Sequence, residues 1–176
     1  MSLVLQSSGG GQITVQEPTT ASNFTQTLPA ASGEVMVSGN QPAFSAYLSA
    51  NQSVTSNVAT KVTMDTEEFD TNNNFASNRF TPTVAGYYQI NGGVNFGGTG
   101  ISYAFVAIYK NGSVYKYGNI LGFTQTAQSL AVVNSIVYLN GSTDYVELYA
   151  LDIATSPIFV GGSAPTYFNG CLVRAA

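Results

Sequence analysis

The 176-residue chain contains no histidine, no tryptophan, one cysteine and only five Lys and Arg. Each shortage excludes a class of function. Without histidine, the commonest general base, metal ligand and near-neutral proton switch is gone. Lys61, Lys110 and Lys116 are scattered along the chain and give a hydroxyl nucleophile no partner. Cys171 alone forms no internal disulfide and no redox or zinc spacing. A net charge of −4, with no basic residue from Met1 to Thr60, leaves no electrostatic footprint for nucleic acid or an anionic membrane. No apolar run approaches the roughly 18 residues that cross a bilayer, so membrane insertion is not expected. The start, MSLVLQSSGG, lacks a basic leader region and its apolar run is too short for a secretory signal. Synthesis in a cytoplasm without export by the usual route is therefore expected.

Charged residues of both signs make up 8% of the chain, against roughly 25% in an ordinary soluble domain. Serine, threonine, asparagine and glycine take their place. The 44% hydrophobic share, with 11 Tyr and 10 Phe, excludes disorder and is enough for a sizeable core. An uncharged polar surface over an aromatic core suits a rigid β-protein that meets the outside world. A virion protein, assembled in a host cytoplasm and released by lysis, reconciles that surface with the missing leader.

The chain is organised around Phe80–Phe96, FTPTVAGYYQINGGVNF. Tyr88, Ile90, Val94 and Phe96 share one parity, while Tyr87, Gln89, Asn91 and Asn95 share the other. A period of two with aromatic and β-branched residues on one side predicts a half-buried strand, fed by a turn between Pro82 and Gly86. Ala43–Leu48, Lys61–Phe69, Ser102–Lys110, Leu130–Leu139, a strand carrying Val146, Leu148 and Ala150, and Tyr167–Val173 alternate in the same manner. Ser102–Lys110 and Leu130–Leu139 are apolar on both parities, which predicts cover on both faces. Asn111-Gly112 predicts a two-residue hairpin turn. Asn169-Gly170 falls inside an apolar run and predicts a close backbone approach. With no helical stripe, these short strands predict an all-β, antiparallel jelly-roll sandwich over residues 42–176.

Residues 1–41 differ. Ser7 to Gly11 reads as a flexible hinge. Gln12–Gln16 reads as a short strand stopped by Pro18, and Glu34–Val37 as a second beyond Pro29. Isolated short strands need something to lie on: the main domain, a sister subunit or a different protein. The segment is read as an attachment arm, with another virion protein as its partner.

Several pieces resemble the globular heads of complement-one-q-like proteins, which are related to tumour necrosis factor. They are AFSAYLSA, the Phe80, Gly86, Tyr88, Ile90 spacing, AFVAIYKNGSVY, YLNGSTDYVELYA and the closing YFNGCLV. The resemblance spans about residues 42–174. It departs in a longer Phe69–Phe80 interval, in Ser142 where Asp is common, and in Cys171 where Phe is common. It implies a jelly roll and a homotrimer, with Gly86 making a turn and Tyr88 entering the core. Residues 1–41 also resemble the amino-terminal segment of small structural proteins of tailed bacteriophages. That resemblance implies a virion-surface protein, either capsid decoration or fibre-like. A free trimeric ligand-binding module of adhesin or lectin type is the alternative.

The candidate sites follow from these expectations. Phe105, Ala107, Tyr109 and Tyr149 are expected to line the trimer seam, and Tyr115 and Tyr117 to offer a recognition surface for a host-surface glycan or protein. Asp65, Glu67, Glu68 and Asp70 form the densest set of oxygen ligands, of the kind calcium takes. On a regular strand, however, they split between two faces, so a solvated acidic loop is the simpler expectation. No catalytic residue and no cofactor is expected.

Overall fold

The computed structural model describes residues 2–16, 19, 25, 37–125 and 128–176. The chain divides into two compact units, Met1–Val35 and Met36–Ala176. Pro18, Pro29 and the strand expected over Glu34–Val37, apart from Val37 itself, lie outside the described residues.

In the first unit β1 (Ser2–Gln6) pairs antiparallel with β2 (Gln12–Gln16), Gln6 opposite Gln12. The glycine run expected as a hinge is the hairpin loop. Ser7 N donates to Gly11 O at 2.8 Å, Gly10 N donates to Ser7 O at 3.1 Å, and Gly10 takes φ +85°, a region glycine enters freely. The sequence showed β2 but not its partner, because Leu3, Val4 and Leu5 are apolar in succession and show no alternation.

The second unit opens with a single 3-10 turn, Ser38–Asn40. Its strands are β3 (Ala43–Tyr47), β4 (Gln52–Ser53), β5 (Thr60–Lys61), β6 (Thr66–Asp70), β7 (Phe75–Ala76), β8 (Arg79–Phe80), β9 (Ala85–Lys110), β10 (Ser113–Gln125), β11 (Ser129–Asn140), β12 (Val146–Phe159) and β13 (Tyr167–Ala175). All pair antiparallel, in a jelly-roll sandwich.

One strand ties the layers together. β9 runs for 26 residues, several times an ordinary strand. Its first half pairs with β11 and β13, and β13 pairs in turn with β3 and β3 with β6; this is the front sheet. Its second half pairs with β10 and β12, and β12 carries β4, β5 and β8; this is the back sheet. Gly98 (φ +129°) and Gly100 (φ +67°) sit between the halves, where the backbone leaves regular strand geometry. The sequence therefore reads as two strands where the chain builds one.

The strand expected over Lys61–Phe69 is broken instead, into β5 on the back sheet and β6 on the front. Val62 and Met64, between them, are buried without joining a ladder, because the chain is crossing between layers. Between the sheets lies a core rich in aromatic rings. Phe44 stacks on Phe80 at 4.3 Å and on Phe75 at 5.1 Å, meets Phe168 edge-on at 5.1 Å, and Phe80 meets Tyr88 at 5.5 Å. Tyr88 is fully buried, its hydroxyl donating to Val84 O at 2.6 Å, and burial pushes its phenol well above the usual range.

Gly86 does not make a turn. It lies inside β9, where a Cβ would meet Arg174 O at 2.5 Å and Leu172 Cδ1 at 2.6 Å, so its role is to admit β13. Asn111 (φ 51°) and Gly112 (φ 78°) form the expected hairpin turn. Gly170 is a close approach as expected, a Cβ there meeting Ile90 Cδ1 at 2.6 Å.

Candidate interaction faces

The sandwich has two exteriors, and β9 contributes to both. On the front exterior, register sets Asn134, Asn91, Asn169 and Ser45 side by side across β11, β9, β13 and β3. Gln89 Nε2 donates to Asn91 Oδ1 and Asn91 Nδ2 to Asn169 Oδ1, each at 3.0 Å, and Ser45 Oγ donates to Glu68 Oε2 at 2.6 Å. This polar row is flanked by apolar side chains in the open. Ile136 is 53% exposed and Tyr138 42%, and Leu130, Val132, Tyr87 and Val173 are exposed with them. Tyr87 and Tyr138 face each other at 5.5 Å.

The free edge of β11 is closed by side chains. Lys110 Nζ donates to Tyr138 O at 2.8 Å, Tyr115 Oη to Ile136 O at 3.2 Å, and Val132 N donates to Asn119 Oδ1 at 2.6 Å. These bonds occupy the groups through which a further strand would add. What the front offers is its side-chain face.

The back exterior is covered differently. Phe105 is 8% exposed and Ala107 is fully buried, though neither belongs to the inter-sheet core. Register places Tyr149 and Tyr117 on either side of Ala107. Tyr117 meets Phe105 edge-on at 5.1 Å and Tyr103 meets it at 6.1 Å. Tyr109 and Tyr149 stack at 3.9 Å, and burial raises both phenols above their ordinary value. Within the protomer, Phe105 and Ala107 are therefore covered by the chain's own rings. Tyr117 remains 58% exposed and Tyr115 is also exposed, though less so. Tyr115 falls at the register shift between Val114 and Lys116, and its hydroxyl is engaged at β11.

Beside the stacked tyrosines lies a charge cluster that no local pattern announces. Glu147, buried, receives Lys61 Nζ at 2.7 Å and approaches Arg79 Nε at 3.6 Å, while Arg79 lies over the Tyr145 ring at 4.4 Å. Lys61 and Glu147 are 86 positions apart, so only the fold joins them. A second cluster ties the β9–β10 turn to the loop before β12. Asp144 accepts from Asn111 Nδ2 at 2.7 Å and pairs with Lys110 at 2.9 Å; these two partners hold its carboxyl below the usual range.

The acidic residues Asp65, Glu67, Glu68 and Asp70 are not brought together. Burial pulls Asp65 upward, but the Ser49 hydroxyl and backbone N–H, both at 2.7 Å, hold its carboxyl below the usual range. Glu68 serves Ser45, and Asp70 accepts from Phe75 N at 2.7 Å and Asn72 N at 3.3 Å. A register shift between Ser45 and Ala46 opposite β6 replaces the regular alternation. Among the described residues no three Asp, Glu or Cys side chains converge as a metal would require.

Asp152, on β12, is fully buried, and neither carboxylate oxygen has a hydrogen-bond partner among the described residues. Burial pushes its carboxyl up to about 6.

With this geometry in place, solved structures supply the comparison. The chain superposes on the globular domain of zebrafish complement 1qA with a TM-score of 0.58 and 16% identity, covering 77% of this chain and 99% of that one. The fold is the complement 1q and tumour necrosis factor jelly roll. Murine APRIL matches this head with a TM-score of 0.59 and 9% identity over 76% of this chain and 99% of its own. Eiger TNF from S. frugiperda matches at 0.51 and 7%, over 77% and 93%. No family model matches the sequence, and no curated protein matches it. The complement 1q-like head is thus legible in backbone geometry at identities that carry the fold alone.

Proposed function

We propose that the chain is a non-enzymatic, homotrimeric structural protein of a tailed-bacteriophage particle, a surface capsid decoration or fibre-like component. The arm anchors it and the complement 1q-like head projects outward. The observation that carries this is the pairing of two unlike units. One is the small first unit, Met1–Val35, without a single basic residue. The other is a jelly roll whose core, from Phe44 to Phe168, is closed within residues 36–176. The family resemblance supplies the trimer.

The seam is assigned to the front exterior, on β11, β9 and β13. Its exposed aliphatic and tyrosine side chains have no cover in the protomer, whereas Phe105 and Ala107 on the back already do. An exposed apolar patch of this kind marks an association surface. Two measurements test the assignment. Light scattering of the full chain and of residues 37–176 is expected to give a trimer for both. Immunogold labelling of particles purified from a producing lysate is expected to decorate them. A monomeric head sinks the seam, and label confined to the soluble fraction sinks the virion role.

The second reading, a free trimeric ligand-binding module of adhesin or lectin type, is favoured by the exposed Tyr103, Tyr117 and Ile120 on the back exterior. Tyrosine gives contact area at low entropic cost. Glycan-array binding that is abolished by Tyr117→Ala, with no particle association, would select it.

A further inference from the structure

We propose that the N-terminal hairpin is a second self-association element, closing its apolar face on the same face of the other copies' hairpins and not on a foreign protein. This rests on the homotrimer proposed above. Register sets Leu5 opposite Ile13, and Val15 follows Ile13 by two positions, so the three share one face. Val4 lies on the other face, opposite Thr14. Ile13 is 67% exposed, and Leu5 and Val15 are also more than half exposed. A lone two-stranded hairpin is at best marginally stable in water, so an apolar face this open needs cover.

Size decides what covers it. Two paired strands of this length present a face of about 17 Å by 10 Å, or roughly 170 Å². A stable interface between separate proteins takes about 800 Å² from each partner. This face alone therefore falls several-fold short of holding a different protein. Copies tethered in one oligomer meet at an effective concentration in the millimolar range, where so small a contact suffices. Chemistry agrees with size. From Met1 to Gln16 the sequence has no charged residue, so identical faces come together without like-charge repulsion. Anchoring to a particle then falls to the rest of the arm.

The test uses the full chain with Cys171→Ser and Ser8→Cys, which moves the single thiol from β13 to the hairpin loop. Mild oxidation or a short bis-maleimide is applied, and light scattering of the same sample reports the oligomer. The expected result is a trimer in which most chains that can pair become covalent dimers. Adding Ile13→Asp should cut the dimer yield at least fivefold while the mass stays trimeric. A trimer with no cross-link overturns the proposal, as does a cross-link that Ile13→Asp leaves unchanged, since the head alone would then bring the loops together. A monomer without cross-link overturns the trimer and this inference together, so the two failures are told apart.

Discussion

The front and back exteriors are built on the two halves of one long strand and differ in what their outward apolar side chains meet. On the back, large rings lie over small or flat neighbours. Tyr149 and Tyr117 flank Ala107, and Tyr103 and Tyr117 meet Phe105 edge-on, so Phe105 and Ala107 are closed over while Tyr103, Tyr117 and Ile120 stay open. On the front, the amide row of Asn134, Asn91 and Asn169 separates the aliphatic positions of β11, and Ile136, Leu130 and Val132 stay open. An apolar outward parity therefore does not by itself call for a partner. What matters is whether the cross-strand neighbour is large enough to cover it.

The sharpest way to break this comparison is charge. Ile136→Arg should convert trimer to folded monomer, a threefold fall in mass by light scattering with unchanged circular dichroism. Tyr109→Arg should leave the mass unaltered and only lower stability. The reverse pair of results would return the seam to Phe105, Ala107, Tyr109 and Tyr149.

The next effect lies beneath the back exterior. The folded Asp152 carboxyl is raised to about 6 from an ordinary 3.8. Above pH 6 the folded state carries a buried charge that the unfolded chain solvates freely. Stability should rise as pH falls from 7 through 6 towards 4, by at most about 3 kcal/mol at roughly 1.4 per pKa unit. Asp152→Asn should recover much of this at pH 7.5 and little at pH 4, as read by urea unfolding. A profile flat over that range would show that the carboxylate has found a partner in solution.

Smaller effects sharpen the contrast. A Phe105/Tyr117 double-mutant cycle to Leu should show about 1 kcal/mol of coupling in the isolated head, the value of an edge-to-face pair. Zero coupling would mean the ring does not cover Phe105. On the front, Asn91→Ala should cost about 1 kcal/mol, because it leaves the amides of Gln89 and Asn169 without their partner. A neutral result would show that water replaces it.

The alternation of Tyr88, Ile90, Val94 and Phe96 and the Asn111-Gly112 turn were legible because they follow from local rules, a period of two and a backbone needing positive φ. The cover of Phe105 and Ala107 within the protomer was not, because it comes from Tyr117 and Tyr149 on other strands, aligned only by register. Lys61, Arg79 and Glu147 escaped for the same reason. The family resemblance implies a turn at Gly86; the cause of the glycine, the approach of the Arg174 carbonyl, lies at the far end of the chain. The split of Lys61–Phe69 into β5 and β6 escaped because a chain crossing between layers buries Val62 and Met64 with the parity of a strand.

The pairing of β3 with β13 has a mechanical side. Ala43 stands opposite Cys171 and Tyr47 opposite Tyr167, so β3 enters the head beside the middle of the last strand and runs back along its first half. Hydrogen bonds of an antiparallel pair lie perpendicular to the strands. In a head tethered through Ala43 and gripped at the opposite end, near the Gly161–Pro165 loop, tension runs along β3. The load falls on its bonds to β13 and β6 together, in shear. A pull between Ala43 and Cys171 would open the same bonds one at a time, like a zip. Direction of load, more than number of bonds, would then set how firmly the head resists being drawn out.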